Sequence, residues 1–161
     1  MIRKFIHYVM VLIFGFCFSE EYFQQDVSYD IEVTLNDKDR ILSAYEKIRY
    51  TNNSKETLEF IWFHLWPNAY KNDSSAMAKQ FIRLGNTRFL YTKEEDRGYI
   101  DSLDFSVNGL RAEWEFHPEW IDVAKIILPK PLLPGKTITI ETPFIVKLPR
   151  VVSRLGHTGK H

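Results

Sequence analysis

Between residues 27 and 148 the chain repeatedly alternates apolar and polar positions, the period of a strand with one covered face. Val27, Tyr29, Ile31 and Val33 alternate with Ser28, Asp30, Glu32 and Thr34. The polar turn Asn36-Asp37-Lys38-Asp39 sends the chain back through Leu42, Ala44, Glu46, Ile48 and Tyr50. A second turn follows at Asn52-Asn53-Ser54-Lys55-Glu56, so the two stretches are expected to be arms of a meander. The run Phe60 to Leu65 is apolar at every position but His64, and it stops at Pro67-Asn68. Such a run suits a strand covered on both faces, so Leu58 to Trp66 is expected to be a central strand between two layers, with Trp62 buried.

Between Asn72 and Gly85 the period changes. Met77, Phe81 and Leu84, with Ile82 nearby, have helical spacing; Asp73 or Ser74 can cap the start and Gly85 can end it. Thr92 to Gly98 has the composition of an exposed loop. Strand character resumes at Tyr99 to Val107, and Asn108-Gly109 is a tight-hairpin signal whose return strand is Leu110 to Phe116. Ile121 to Leu128 leads to Pro129-Lys130-Pro131, and Pro134-Gly135 turns the chain into Thr137 to Leu148. The expected fold is all-β: a curved, multi-sheet antiparallel domain, saddle- or sandwich-like, with one short helix.

Composition narrows this further. The 161 residues make one domain with a real core, and Lys and Arg balance Asp and Glu to a formal net charge of zero. Interspersed charge of that kind supplies no long-range attraction for nucleic acid or an anionic membrane, so neither is an expected partner. Arg3 and Lys4, the apolar stretch Tyr8 to Phe18 and the sequence Cys17-Phe18-Ser19 have the layout of a secretory signal. Its apolar run is too short for a membrane-spanning helix, which needs roughly 20 residues. Residues 1–19 are therefore expected to be removed and residues 20–161 to form an exported β domain, in the periplasm, cell envelope or outside the cell. The alternative is a lipoprotein cut before Cys17, although Phe16 stands where Gly or Ala is usual. With no second cysteine, stability rests on packing.

The sequence offers no catalytic, cofactor-binding or metal-binding residues. There is no His-Glu-x-x-His, and His64, His117, His157 and His161 do not have the spacing of a zinc site. His64, within the apolar strand, suits a satisfied core or interface histidine. Gly156-His157-Thr158-Gly159-Lys160 lacks phosphate-loop spacing. Glu94-Glu95-Asp96 and the pair Glu113 and Glu115 fit solvated faces better than paired catalytic carboxylates. No Ser or Cys has a nucleophile setting. The aromatic residues Trp62, Trp66, Tyr70, Trp114 and Trp120 are either core or, if exposed and coplanar, a sugar-stacking surface; around the His117-Pro118 turn, Trp114 and Trp120 are the better candidates for exposure.

Phe60 to Lys71, with Tyr50-Thr51-Asn52-Asn53-Ser54 before it, Ala76 to Gln80 after it and Ser153-Arg154-Leu155-Gly156-His157 near the end, resembles the amino-terminal β domain of the M1 family of zinc aminopeptidases, particularly the secreted branch common in Bacteroidetes. The resemblance runs from Tyr22 to His157. It implies a non-catalytic domain that packs on a thermolysin-like catalytic domain of the same polypeptide and helps shape the cleft for a peptide substrate. Zinc would belong to that catalytic domain, whose ligands and general-base Glu have no counterpart here. On this reading the β domain is incomplete at its carboxyl end, and Val151, Val152 and Leu155 are expected to lie uncovered. The alternative is a stand-alone secreted β module binding carbohydrate or protein through surface aromatics.

Overall fold

A computed structural model describes residues 22–150 and 153–158. The residues expected to form the signal, together with Val151, Val152 and residues 159–161, lie outside the described part. The fold is all-β, with two antiparallel sheets and one α-helix.

The first sheet begins with β1 (Asp26–Asn36) and β2 (Ile41–Thr51), paired along their whole length from Asp26 opposite Thr51 to Asn36 opposite Ile41. The turn between them is held by the Asn36 side chain, whose Nδ2 donates to Asp39 Oδ2 at 2.7 Å while its Oδ1 accepts from the Asp39 amide. Strand β3 (Leu58–His64) belongs to the second sheet. The stretch expected to be one strand from Tyr99 to Val107 is instead two, β4 (Tyr99–Asp101) and β5 (Ser106–Val107), separated where Ser102 takes a φ of 60°. Asn108 and Gly109, both at positive φ, form the hairpin to β6 (Leu110–Arg111), as two-residue hairpins of this type require. Its return segment does not continue as one strand: β7 (Trp114–Phe116) crosses to the second sheet. Strands β8 (Val123–Leu132) and β9 (Thr137–Lys147) follow.

In the first sheet the order is β1-β2-β9-β5-β6, with β4 also on β9; in the second it is β3-β8-β7. Among the described residues β3 is thus an edge, contrary to the expectation of a central strand. Its continuous apolar run reflects one face on the core and one aromatic face toward solvent. Pro129 and Pro131 sit in β8 where the register shifts, between Phe60 opposite Ile127 and Leu58 opposite Leu132. Lacking amide hydrogens, prolines are tolerated in a strand at such an irregularity.

The main core lies between the sheets and includes Ile48, Ile61, Phe105, Ile126 and Ile140, all buried. Two buried asparagines tie the layers together. Asn52 Nδ2 donates to the carbonyls of Glu56 (2.7 Å) and Leu132 (3.0 Å), and its Oδ1 accepts from the Ser54 amide and hydroxyl. Asn68, at the Pro-Asn break, donates to the Ile121 carbonyl at 3.0 Å and accepts from the Ile100 amide.

Helix α1 (Ala76–Arg83) is capped by Ser75, whose Oγ accepts from the Ala78 amide and donates to the Ala69 carbonyl. The expected caps sit one and two positions earlier; Ser74 is already engaged in a turn closed by Asn72. Gly85, at φ 75°, ends the helix. Met77 and Phe81 pack on a smaller cluster of Ala69, Tyr70, Ala78 and Phe89, but Leu84 is exposed, because the helix ends before the apolar stripe reaches it. Leu155 packs on the same cluster and is not uncovered; the expectation for Val151 and Val152 falls outside the described residues. The loop expected to be exposed contains the 3-10 turn Glu94–Asp96 and ends on a buried Gly98. A Cβ on Gly98 would stand 2.5 Å from the Pro149 ring and 2.8 Å from the Lys147 carbonyl, so only glycine lets the chain pass the end of β9.

Candidate functional site

The alternation in β1 and β2 places Val27, Tyr29, Ile31, Val33 and Leu35 on the same face of the first sheet as Glu46, Ile48 and Tyr50, with Ile138, Ile140 and Val146 from β9. The second sheet covers the β9 part of this face. It leaves the β1 part open, with Tyr29, Ile31, Val33 and Leu35 between 51% and 62% exposed. A groove of about 460 Å³ runs across the boundary, lined by Tyr29, Ile31, Ile48 and Val146 on one side and by Phe63 and Trp66 on the other.

Glu46 is the only carboxylate in this lining. It is half-buried, burial raises its carboxyl above the ordinary glutamate range, and no side chain among the described residues pairs with it. Burial raises the Tyr50 phenol in the same way. On the opposite face of the sheet Lys47 meets its cross-strand partner Glu141 at 3.1 Å, and the hydrogen bond and charge of Glu141 raise the lysine's pKa.

His64 stands at the mouth of the groove, with Nε2 3.4 Å from the mostly buried Asp122 carboxylate and its ring edge-on to Trp66, centroids 3.9 Å apart. It is a histidine partnered within the chain. Among the described residues no three His, Cys, Asp or Glu side chains converge as metal ligands would. The carboxylates Glu94 and Glu95 lie on an exposed turn, with Glu95 facing Lys93; Glu115 reaches Lys125 at 3.9 Å.

Trp62 is not buried. It is 48% exposed, because β3 has the first sheet on one face only and Trp62 projects from the other, alongside Phe60 and under the Lys125 ammonium. Trp120, half exposed, stacks on His117 at 4.3 Å and 13°, and His117 in turn meets Trp62 at 5.2 Å with a 52° tilt. The His117 Nδ1 accepts from the amides of Glu119 and Trp120. Trp114 is not the exposed residue its turn suggested; it packs edge-on against Phe105 and joins the main core. Tyr70 is buried in the smaller cluster, and Trp66 is 70% exposed. The exposed rings do not form a coplanar row.

The fold and groove define a two-sheet β domain with one apolar face left open. No family model matches the chain, and no curated protein sequence matches it. Among solved structures, it is similar to an M1 zinc metallopeptidase from Deinococcus radiodurans, at 17% identity over 77% of this chain and 20% of that one, with a TM-score of 0.45. It is also similar to a mutant two-domain M1 zinc metallopeptidase bound to L-arginine, at 16% identity over 80% and 22% of the two chains, with a TM-score of 0.47. The chain spans about a fifth of the length of these structures. Overlaps of this extent do not assign it to their family.

Proposed function

We propose that this chain is a non-catalytic amino-terminal β domain of an exported M1-type zinc aminopeptidase, and that it acts by docking on a catalytic domain and shaping one wall of its substrate cleft. The observation that carries the docking role is the open β1 half of the first sheet, where four consecutive inward positions, Tyr29, Ile31, Val33 and Leu35, are all exposed. A contiguous apolar face of that kind marks an interaction surface. The family part of the reading is supported by the resemblance of Phe60 to Lys71, Ala76 to Gln80 and Ser153 to His157 to that family's blocks. A stand-alone aromatic binding module is not favoured, since Trp62 and Trp120 are separated by a tilted His117 and Trp114 is packed inward.

The test is association in trans with a purified M1-type catalytic domain, followed by sedimentation and thermal unfolding. A one-to-one complex, with a raised unfolding midpoint for this chain and zinc and aminopeptidase activity confined to the catalytic partner, is the expected result. No association at about 100 μM, well above the dissociation constant of a specific domain pair, would overturn the docking role. Stoichiometric zinc retained by this chain alone would overturn the non-catalytic reading.

A further inference from the structure

We propose that the groove beside β1 takes an extended, apolar polypeptide segment that adds to the open edge of β3 and presents a lysine or arginine to Glu46. For the identity of the donor, the partner domain, this rests on the function proposed above; the chemistry of recognition stands on the groove itself.

Three features select this occupant. The groove wall is apolar, with Tyr29, Ile31, Ile48 and Phe63 facing it, so the bound surface must be apolar too. Strand β3 pairs with β8 on one side, and no described strand pairs with the other. Every second residue along that edge directs its amide and carbonyl outward, a row that an added strand satisfies and a helix does not. Within the apolar lining stands one half-buried carboxylate, Glu46, with which no side chain among the described residues pairs, whereas the histidine of the lining, His64, is already held by Asp122. A carboxylate half out of water with no cation gains most from a cationic group brought in on an apolar carrier, because the charge-assisted bond then forms where water is scarce. A second copy of this chain supplies no match by its own groove, since two Glu46 carboxylates would face one another across a two-fold contact.

Synthetic peptides of about nine residues, the length of an ordinary strand, test this without the partner. They alternate valine with threonine and carry lysine, glutamine or glutamate at the central valine-row position. Binding to the full chain is followed by calorimetry and tryptophan emission. The lysine peptide is expected to bind about tenfold more tightly than the glutamate peptide, the shift a charge-assisted hydrogen bond gives. Glu46→Gln should remove that preference while leaving the glutamine peptide's affinity unchanged. N-methylation of one alternate set of peptide amides should abolish binding, and methylation of the other set should not. Equal affinities for the three peptides, indifference to both methylation patterns, or no binding at millimolar peptide would overturn the inference. So would a dimer of the free chain that Ile31→Asp converts to monomer, since a second copy would then be the occupant. The peptides contain no enzyme sequence, so their failure is separate from failure of the trans-association test.

Discussion

Strands β1 and β9 carry the same message in sequence and meet opposite fates. In β9, Ile138, Ile140 and Val146 are at most 7% exposed; in β1, Tyr29, Ile31, Val33 and Leu35 are at least 51% exposed. Each alternates, β9 over Thr137 to Thr142, and these side chains share one face of one sheet. They differ in position: β9 lies centrally in the first sheet and packs on the core, and β1 is an edge of which only Val27 reaches that core. Alternation therefore decides which way a side chain points. What covers it is decided by a different part of the chain.

The comparison is broken or sharpened most by equivalent truncations on the two strands. Ile140→Ala is expected to cost about 2–5 kcal/mol, as burial without room to collapse dictates, and Ile31→Ala no more than about 1 kcal/mol. Denaturant unfolding that gave equal losses would mean the β1 face is covered in solution. Next is the buried Asn52: Asn52→Ala strands the Glu56 and Leu132 carbonyls and the Ser54 donors, and is expected to cost about 2–3 kcal/mol. A cost within experimental error would show that water takes its place. At the far end of β9, Gly98→Ala is expected to cost about 1–3 kcal/mol from overpacking against Pro149, read as a lowered unfolding midpoint.

Glu46→Gln should give the smallest effect, and in the opposite direction. Burial holds the carboxyl above its ordinary range, so its favourable contribution is complete in acid and is lost as pH rises through the raised value. At neutral pH the ionised group is a cost, and the glutamine variant should be more stable by a few tenths of a kcal/mol, small because the site is half open to solvent. Near about pH 3, below the ordinary carboxylate range, the two proteins should unfold alike. A variant less stable than the parent at neutral pH would mean that Glu46 already has a cation.

The turns were legible because their chemistry is local. Asn108-Gly109 and Gly85 adopt positive φ where glycine and asparagine allow it, and Asn36 closes the first hairpin through its own side chain. The helix was legible through its spacing, while its cap was displaced by one residue because Ser74 was already bound to Asn72. The aromatic run at Phe60 to Leu65 misled, since an edge strand with one aromatic solvent face and a strand sandwiched between layers have the same composition. The groove had no sequence signal except Glu46, a carboxylate in the apolar row of β2.

By itself, the sequence determined the all-β class, the two hairpins at Asn36 and Asn108-Gly109, the helix and the inward face of the alternating strands β1 and β2, because these follow from dihedral preference and periodicity over a few residues. Only the tertiary structure decided that, among the described residues, β3 is an edge, Asn52 and Asn68 are buried locks, and β1 is left open beside a Glu46 that no side chain pairs. Those outcomes depend on how far a sheet of three strands extends over a sheet of six. That overlap is set by contacts between residues far apart along the chain, which no local pattern encodes.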